Sequence, residues 1–118
     1  MSVASEATFK RLEGEHLISV NFLQHYLQLH FEEPLLNTYT PITVSAFGRA
    51  TRNDADGFRD ALCGQIAKRV EAVSLVPSEA LIIGFEDGAQ LSISLRPDDY
   101  AGPEAVEARG LAEQWVAI

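Results

Sequence analysis

A nine-residue pattern occurs twice in this chain: Leu12-Glu13-Gly14-Glu15-His16-Leu17-Ile18-Ser19-Val20 returns as Leu62-Cys63-Gly64-Gln65-Ile66-Ala67-Lys68-Arg69-Val70, at a constant offset of 50 residues. A phenylalanine precedes each copy, Phe9 and Phe58, and an alternating apolar run follows each, Leu27-x-Leu29-x-Phe31 and Leu81-x-Ile83-x-Phe85. Between the two runs the offset is 54, which four extra residues around Val76-Pro77-Ser78-Glu79 explain, since turns absorb insertions cheaply. Such a chain is expected to fold as two similar helix-plus-three-strand units whose apolar sides share one core.

Local signals fill in each half. Residues 5–12 place Phe9 and Leu12 at helical spacing, with Ser5 as N-cap and Gly14 as terminator. The second copy offers Asp54 or Asp56 as cap, with Phe58, Ala61, Leu62 and Ile66 along one face and Gly64 at or inside the helix end. After each glycine the apolar period falls towards two, predicting half-buried strands over residues 17–22 and 68–75. Asp87-Gly88 supplies the positive φ angles of a tight hairpin between Leu81-x-Ile83-x-Phe85 and Leu91-x-Ile93-x-Leu95, with Gln90, Ser92 and Ser94 facing outward. In the first half, Pro41 lies within residues 35–44 and removes a ladder donor, so its third strand is expected at an edge or broken. Residues 45–53 have little periodicity and read as the connection between copies, and Pro103 opens a helical turn over residues 104–108 that Gly110 closes. Residues 114–118 are expected to dock as a short strand or tail, with Trp115 packed in the core.

The resulting expectation is an α+β domain spanning residues 1–118, with a mainly antiparallel sheet core and short helices: repeat one about 5–44, repeat two about 54–96, and a docked tail at 97–118. Its core candidates are Phe9, Leu12, Val20, Leu27, Leu29 and Phe31, then Phe58, Leu62, Val70, Val73, Leu81, Ile83, Phe85, Leu91, Ile93 and Trp115. With 118 residues and 47% hydrophobic content, the chain can bury such a core without disulfides or a structural metal.

Charge and cysteine usage narrow the function classes. The net charge is −8, of which −6 falls between Glu79 and the end. That surface repels phosphate backbones and anionic lipid headgroups, which argues against nucleic-acid and membrane binding and permits a basic protein partner. Cys63 is the single cysteine, so no intramolecular disulfide forms and a thiolate zinc site lacks its usual partners. The opening Met1-Ser2-Val3-Ala4-Ser5-Glu6 lacks the basic and apolar regions of a secretion signal, so a cytoplasmic protein is expected.

Catalytic chemistry has little to stand on. His30 and Glu32 share parity on one predicted strand and face away from Leu29 and Phe31, a pairing that suits acid–base work, but no further ligands stand at metal-binding spacing. Asp98-Asp99-Tyr100 puts two carboxylates and a phenol just after a strand, where turn and capping roles compete with a functional one. Cys63 sits near Asp60 and reads as a packed small side chain, and Gly14, Gly64 and Gly88 form no phosphate loop. No cofactor or metal is therefore expected. Tyr26, Gln28, His30 and Glu32, with Leu35 and Tyr39 beyond the turn, are more aromatic than a solvated strand face needs, and suit either a protein interface or cover by residues 45–53.

The second half, with Leu62-x-Gly64, Val70-x-x-Val73, Leu81-x-Ile83-x-Phe85-x-Asp87-Gly88-x-x-Leu91-x-Ile93 and Asp98-Asp99-Tyr100-x-Gly102-Pro103-Glu104, resembles a group of small bacterial proteins of unknown function built on this hairpin. The resemblance implies a small β-rich fold and no established activity. Some acidic proteins of this size act as immunity partners of secreted toxins, an analogy of composition alone. The leading expectation is a noncatalytic interaction module, as a homodimer or with a basic partner held through the acidic C-terminal third, Asp98, Asp99 and Glu104 included. The alternative is a ligand-binding or hydrolytic protein with a pocket between the repeats near His30, Asp98, Asp99 and Tyr100.

Overall fold

Ser5 opens the first helix as its sequence suggests: its hydroxyl accepts the Thr8 N–H at 3.4 Å, satisfying one of the donors a helix start leaves free. The chain is described by a computed structural model covering residues 2–3 and 5–118. Helix α1 (Glu6–Phe9) runs into a 3-10 turn, Lys10–Leu12, and Gly14 at φ +93° turns the chain out of it. Three antiparallel strands follow, β2 (Leu17–Phe22), β3 (Leu27–Phe31) and β4 (Leu35–Thr38). The second half has the same order: α2 (Phe58–Cys63), then β7 (Val70–Val76), β8 (Ala80–Phe85) and β9 (Gln90–Ser94), again antiparallel. A register shift falls at the same place in both, after Leu17↔Phe31 in β2 and after Val70↔Phe85 in β7.

Pro41 breaks the chain between the halves. Strand β4 ends before it and β5 (Ile42–Ala46) begins after it in a different sheet, pairing with β9. Residues 45–53 are therefore no loose connection: they carry the end of β5, a turn at Phe47-Gly48 and β6 (Arg49–Arg52). The tail contributes β10 (Val106–Arg109) and β11 (Val116–Ala117), and Ser2–Val3 forms β1. One sheet runs β1-β11-β10-β4-β3-β2 and the other β6-β5-β9-β8-β7, all antiparallel but for β1 against β11. They are joined at one seam, where His16 bridges Arg69 and Gly14 N–H meets the Val70 carbonyl at 2.9 Å.

A single buried cluster draws on both sheets and both helices. Of the sequence-derived core, Val20 and Leu27 are only half-buried, and Trp115 is 38% exposed, its ring lying 5.9 Å from the Arg109 guanidinium instead of in the interior. Leu17, Leu36, Ile42, Val44, Val106 and Val116 complete the interior. Other expectations are corrected. Gly57 at φ +86°, and neither Asp54 nor Asp56, caps α2, and Ile66 lies beyond the helix, 37% exposed. Residues 106–109 form a strand in place of the expected helical turn over 104–108, because β10 fills the place beside β4. Asp87 keeps a negative φ: Gly88 alone is at +89°, in a turn closed by Gly88 N–H to the Phe85 carbonyl at 3.0 Å. Three of the four extra residues fall before β7 and only one in the turn around Val76–Glu79. Gly64 stays right-handed at φ −62° and the turn at Gln65–Lys68 follows, so that Val70 and not Val20 matches buried Leu17. No described helix is long and apolar enough to cross a membrane.

Candidate functional site

The two seam strands, β7 and β2, end their sheets in opposite ways. On β7 the outward Val73 N–H and carbonyl and the Leu75 N–H are occupied by side chains from α1, its 3-10 extension and the residue after it. Glu13 accepts the Val73 N–H at 3.0 Å, Glu6 accepts the Leu75 N–H at 2.9 Å, and Lys10 Nζ donates to the Val73 carbonyl at 3.0 Å. Phe9 and Leu12, both fully buried, anchor the helix that delivers them. On β2 the N–H of Leu23 points inward to the Tyr26 carbonyl at 3.0 Å, so the alternate residues Val20 and Phe22 direct their main-chain groups outward. Among the described residues no side chain bonds to them. Phe58 begins α2 whereas Phe9 ends α1, so α2 has no residue in the place of Glu6, while Arg59 and Cys63 follow Phe58 and Leu62 as Lys10 and Glu13 follow Phe9 and Leu12. Among the described residues no carboxylate of α2 bonds this edge, and Arg59 lies over the Phe22 ring at 4.7 Å. Ile18 and Leu23, 51% and 44% exposed, flank this open edge.

Beside that edge, the outer face of the first sheet carries a ladder of amides across three strands. Asn21 Nδ2 donates to Gln28 Oε1 at 3.2 Å, and Gln28 Nε2 donates to Asn37 Oδ1 at 3.1 Å. His30 Nε2 lies 3.2 Å from Asn21 Nδ2, so its polar contacts are with this ladder and not with Glu32. Tyr26 and Tyr39 pack with ring centroids 5.3 Å apart, and the Tyr39 hydroxyl donates to Glu107. Desolvation first, then the Glu107 hydrogen bond and charge, with Tyr26 and Glu104 nearby, push the Tyr39 phenol well above its ordinary range. A phenol so held remains protonated and serves as a donor. The connecting segment does not cover this face, since β5 and β6 belong to the other sheet.

The remaining candidates disperse. Glu32 lies past the end of β3 and accepts both the His16 N–H, at 2.8 Å, and a bond with His16 Nδ1, at 2.9 Å; those bonds hold its carboxyl below the usual range. Asp99 accepts the Ser94 hydroxyl at 2.6 Å and faces Arg52 at 3.4 Å, on the outer side of the second sheet. Asp98 is exposed in the 3-10 turn Pro97–Asp99, and Tyr100 packs against the core near Leu75, Leu95 and Ile118. Glu104 is half-buried just before β10. His30 thus lies on the first sheet and the Asp98–Asp99–Tyr100 group in a turn beside the second, and among the described residues no one pocket joins them. Among the described residues no cluster of three or more His, Cys, Asp or Glu side chains is placed to hold a metal ion.

Comparison of the chain with family models, with curated proteins and with solved structures finds no match.

Proposed function

We propose that two copies of one helix-plus-three-strand unit have diverged in their edges, and that the protein is a noncatalytic interaction module that pairs through the open edge of β2. The observation that carries this is the contrast between β7, whose outward groups are occupied, and β2, whose Val20 and Phe22 groups are not. An unpaired strand edge is a template for another strand, and proteins that do not use one normally block it.

A second copy of the chain is the occupant that the charge pattern favours. Residues 16–31 form the longest stretch free of Asp, Glu, Lys and Arg in a chain of net charge −8. Two β2 strands therefore meet without opposed like charges, while Ile18 and Leu23 leave water at the contact. The basic-partner version is less well supported, because Glu86, Asp99 and Glu107 of the acidic third already face Arg69, Arg52 and Tyr39.

Light scattering across concentration tests the proposal. Dimers are expected, strengthened by added salt as the net repulsion is screened. Ile18→Lys and Val20→Pro are expected to give monomers that remain folded, since Ile18 is exposed and the Val20 N–H serves no bond within the sheet. A wild-type chain that stays monomeric up to millimolar concentration, or dimers indifferent to both substitutions, would count against it.

A further inference from the structure

A cleft of about 360 Å³ lies between α2 and the β5–β6 hairpin. Its walls are small and apolar, with Val44 and Ala46 on the strand side and Ala61 and Gly64 on the helix side. Three independent observations converge on it. First, Gln65 lines the cleft, is only 3% exposed, and its Oε1 has no hydrogen-bond partner among the described residues. A buried amide oxygen left unbonded is destabilising, and such groups are uncommon in folded proteins.

Second, Phe47 stands at the mouth, 98% exposed, with φ +53° in a two-residue turn whose other member, Gly48, is at +75°. Turns of that shape select Asn-Gly or Gly-Gly, so a bare phenylalanine there is unfavourable both in conformation and in solvation. Third, the unengaged cations gather here. Of nine Lys and Arg, Lys10, Arg52 and Arg69 are in ion pairs, Arg11 bonds the Leu111 carbonyl, and Arg59 and Arg109 lie over aromatic rings. Of the three left, Arg49 and Lys68 both line this cleft.

We infer that the cleft is a binding site for a small apolar α-amino acid carboxylate, either the free amino acid or the C-terminal residue of a peptide. The Gln65 side chain turns its enclosed Oε1 into the cleft to accept the ligand N–H, the carboxylate lies between Arg49 and Lys68, and the ligand side chain fills the space beside Ala46 and Ala61 as the exposed Phe47 ring folds over it. Asp60 and Asp87, also at the cleft, complement an ammonium group when the amino acid is free.

The test is NMR shift mapping with three probes: L-leucine, N-acetyl-L-leucine and L-leucinamide. The two carboxylates are expected to move the Phe47, Gln65 and Lys68 amide resonances, and leucinamide is expected to leave them unmoved. Tighter binding of N-acetyl-L-leucine assigns the site to a peptide C-terminus, and tighter binding of L-leucine assigns it to the free amino acid. Arg49→Gln is expected to weaken the better carboxylate about tenfold. Gln65→Met and Phe47→Asn are expected to keep or raise the thermal midpoint of the ligand-free protein while weakening binding, the signature of residues retained for a ligand. Leucinamide shifts equal to those of the carboxylates, no shifts from either carboxylate, or a midpoint lowered by Gln65→Met would overturn the inference.

Discussion

Strands β7 and β2 close the same seam, carry the same irregularity beside a buried aliphatic residue, and differ in what meets their outer edges. Beside β7, the long side chains of Glu6, Lys10 and Glu13, in and just after the first helix, occupy the Val73 N–H and carbonyl and the Leu75 N–H. Beside β2, among the described residues, α2 sends no carboxylate to the strand and the Val20 and Phe22 groups meet no side chain. Edge protection here is thus a property of a few surface residues on a neighbouring helix and not of the strand itself. Its cost is small in sequence terms, which is why one half of a molecule can keep it while the other does without.

The comparison breaks most completely when the delivering helix is detached. Phe9→Ala removes a fully buried ring that holds α1 in place, and is expected to cost about 3–5 kcal/mol in urea unfolding. In that variant the Val73 and Leu75 amides are expected to lose their protection alongside it. A loss below about 1 kcal/mol would mean that the helix is not what holds the caps.

Removing the caps alone is the next largest effect. Glu6→Ala with Glu13→Ala leaves the core intact and is expected to cost about 1–2 kcal/mol, since each net bond contributes about 0.5–1.5 kcal/mol. With both seam edges open, scattering is expected to show species larger than dimers, and unchanged assembly would indicate that carboxylate caps do not govern pairing.

These caps explain much of what the sequence could not convey. The helix start at Ser5, the β8–β9 hairpin and the break at Pro41 rest on contacts within a few residues, and each is visible as a cap, a glycine turn or a missing donor. Glu13 and Val73 are 60 residues apart, and nothing local in either marks the bond. The β5–β6 hairpin escaped notice because Phe47-Gly48 lacks the usual turn residues, and β10 because Val106-Glu107-Ala108-Arg109 favours a helix until β4 offers a ladder. Among the candidate site residues, strand parity placed His30 and Tyr39 correctly on one outward face. It failed for Glu32, because β3 ends at Phe31 and the turn swings that carboxylate towards His16. Gln65 carried no signal at all, since an unbonded buried oxygen becomes visible only in three dimensions.

Two weaker perturbations sharpen the contrast by leaving it alone. Tyr39→Phe removes the donor to Glu107 on the open face, away from either edge, and is expected to cost about 1 kcal/mol or less without altering oligomeric state. At the seam, Glu32 titrates below its ordinary 4.5 because His16 hydrogen-bonds its charged form. The fold therefore favours the deprotonated carboxylate, which contributes stability above that ordinary value and loses it as pH falls through the lowered one. His16→Ala is expected to return the Glu32 midpoint upward in a carboxyl NMR titration, and an unmoved midpoint would assign the shift to another cause.

Amide hydrogen exchange of the dilute monomer, read at four positions, examines the difference between the edges most directly. Val20 and Phe22 are expected to exchange quickly while Val73 and Leu75 are slowed by their carboxylate acceptors. Equal rates at the two strands would contradict the contrast, and with it the assignment of β2 as the pairing edge.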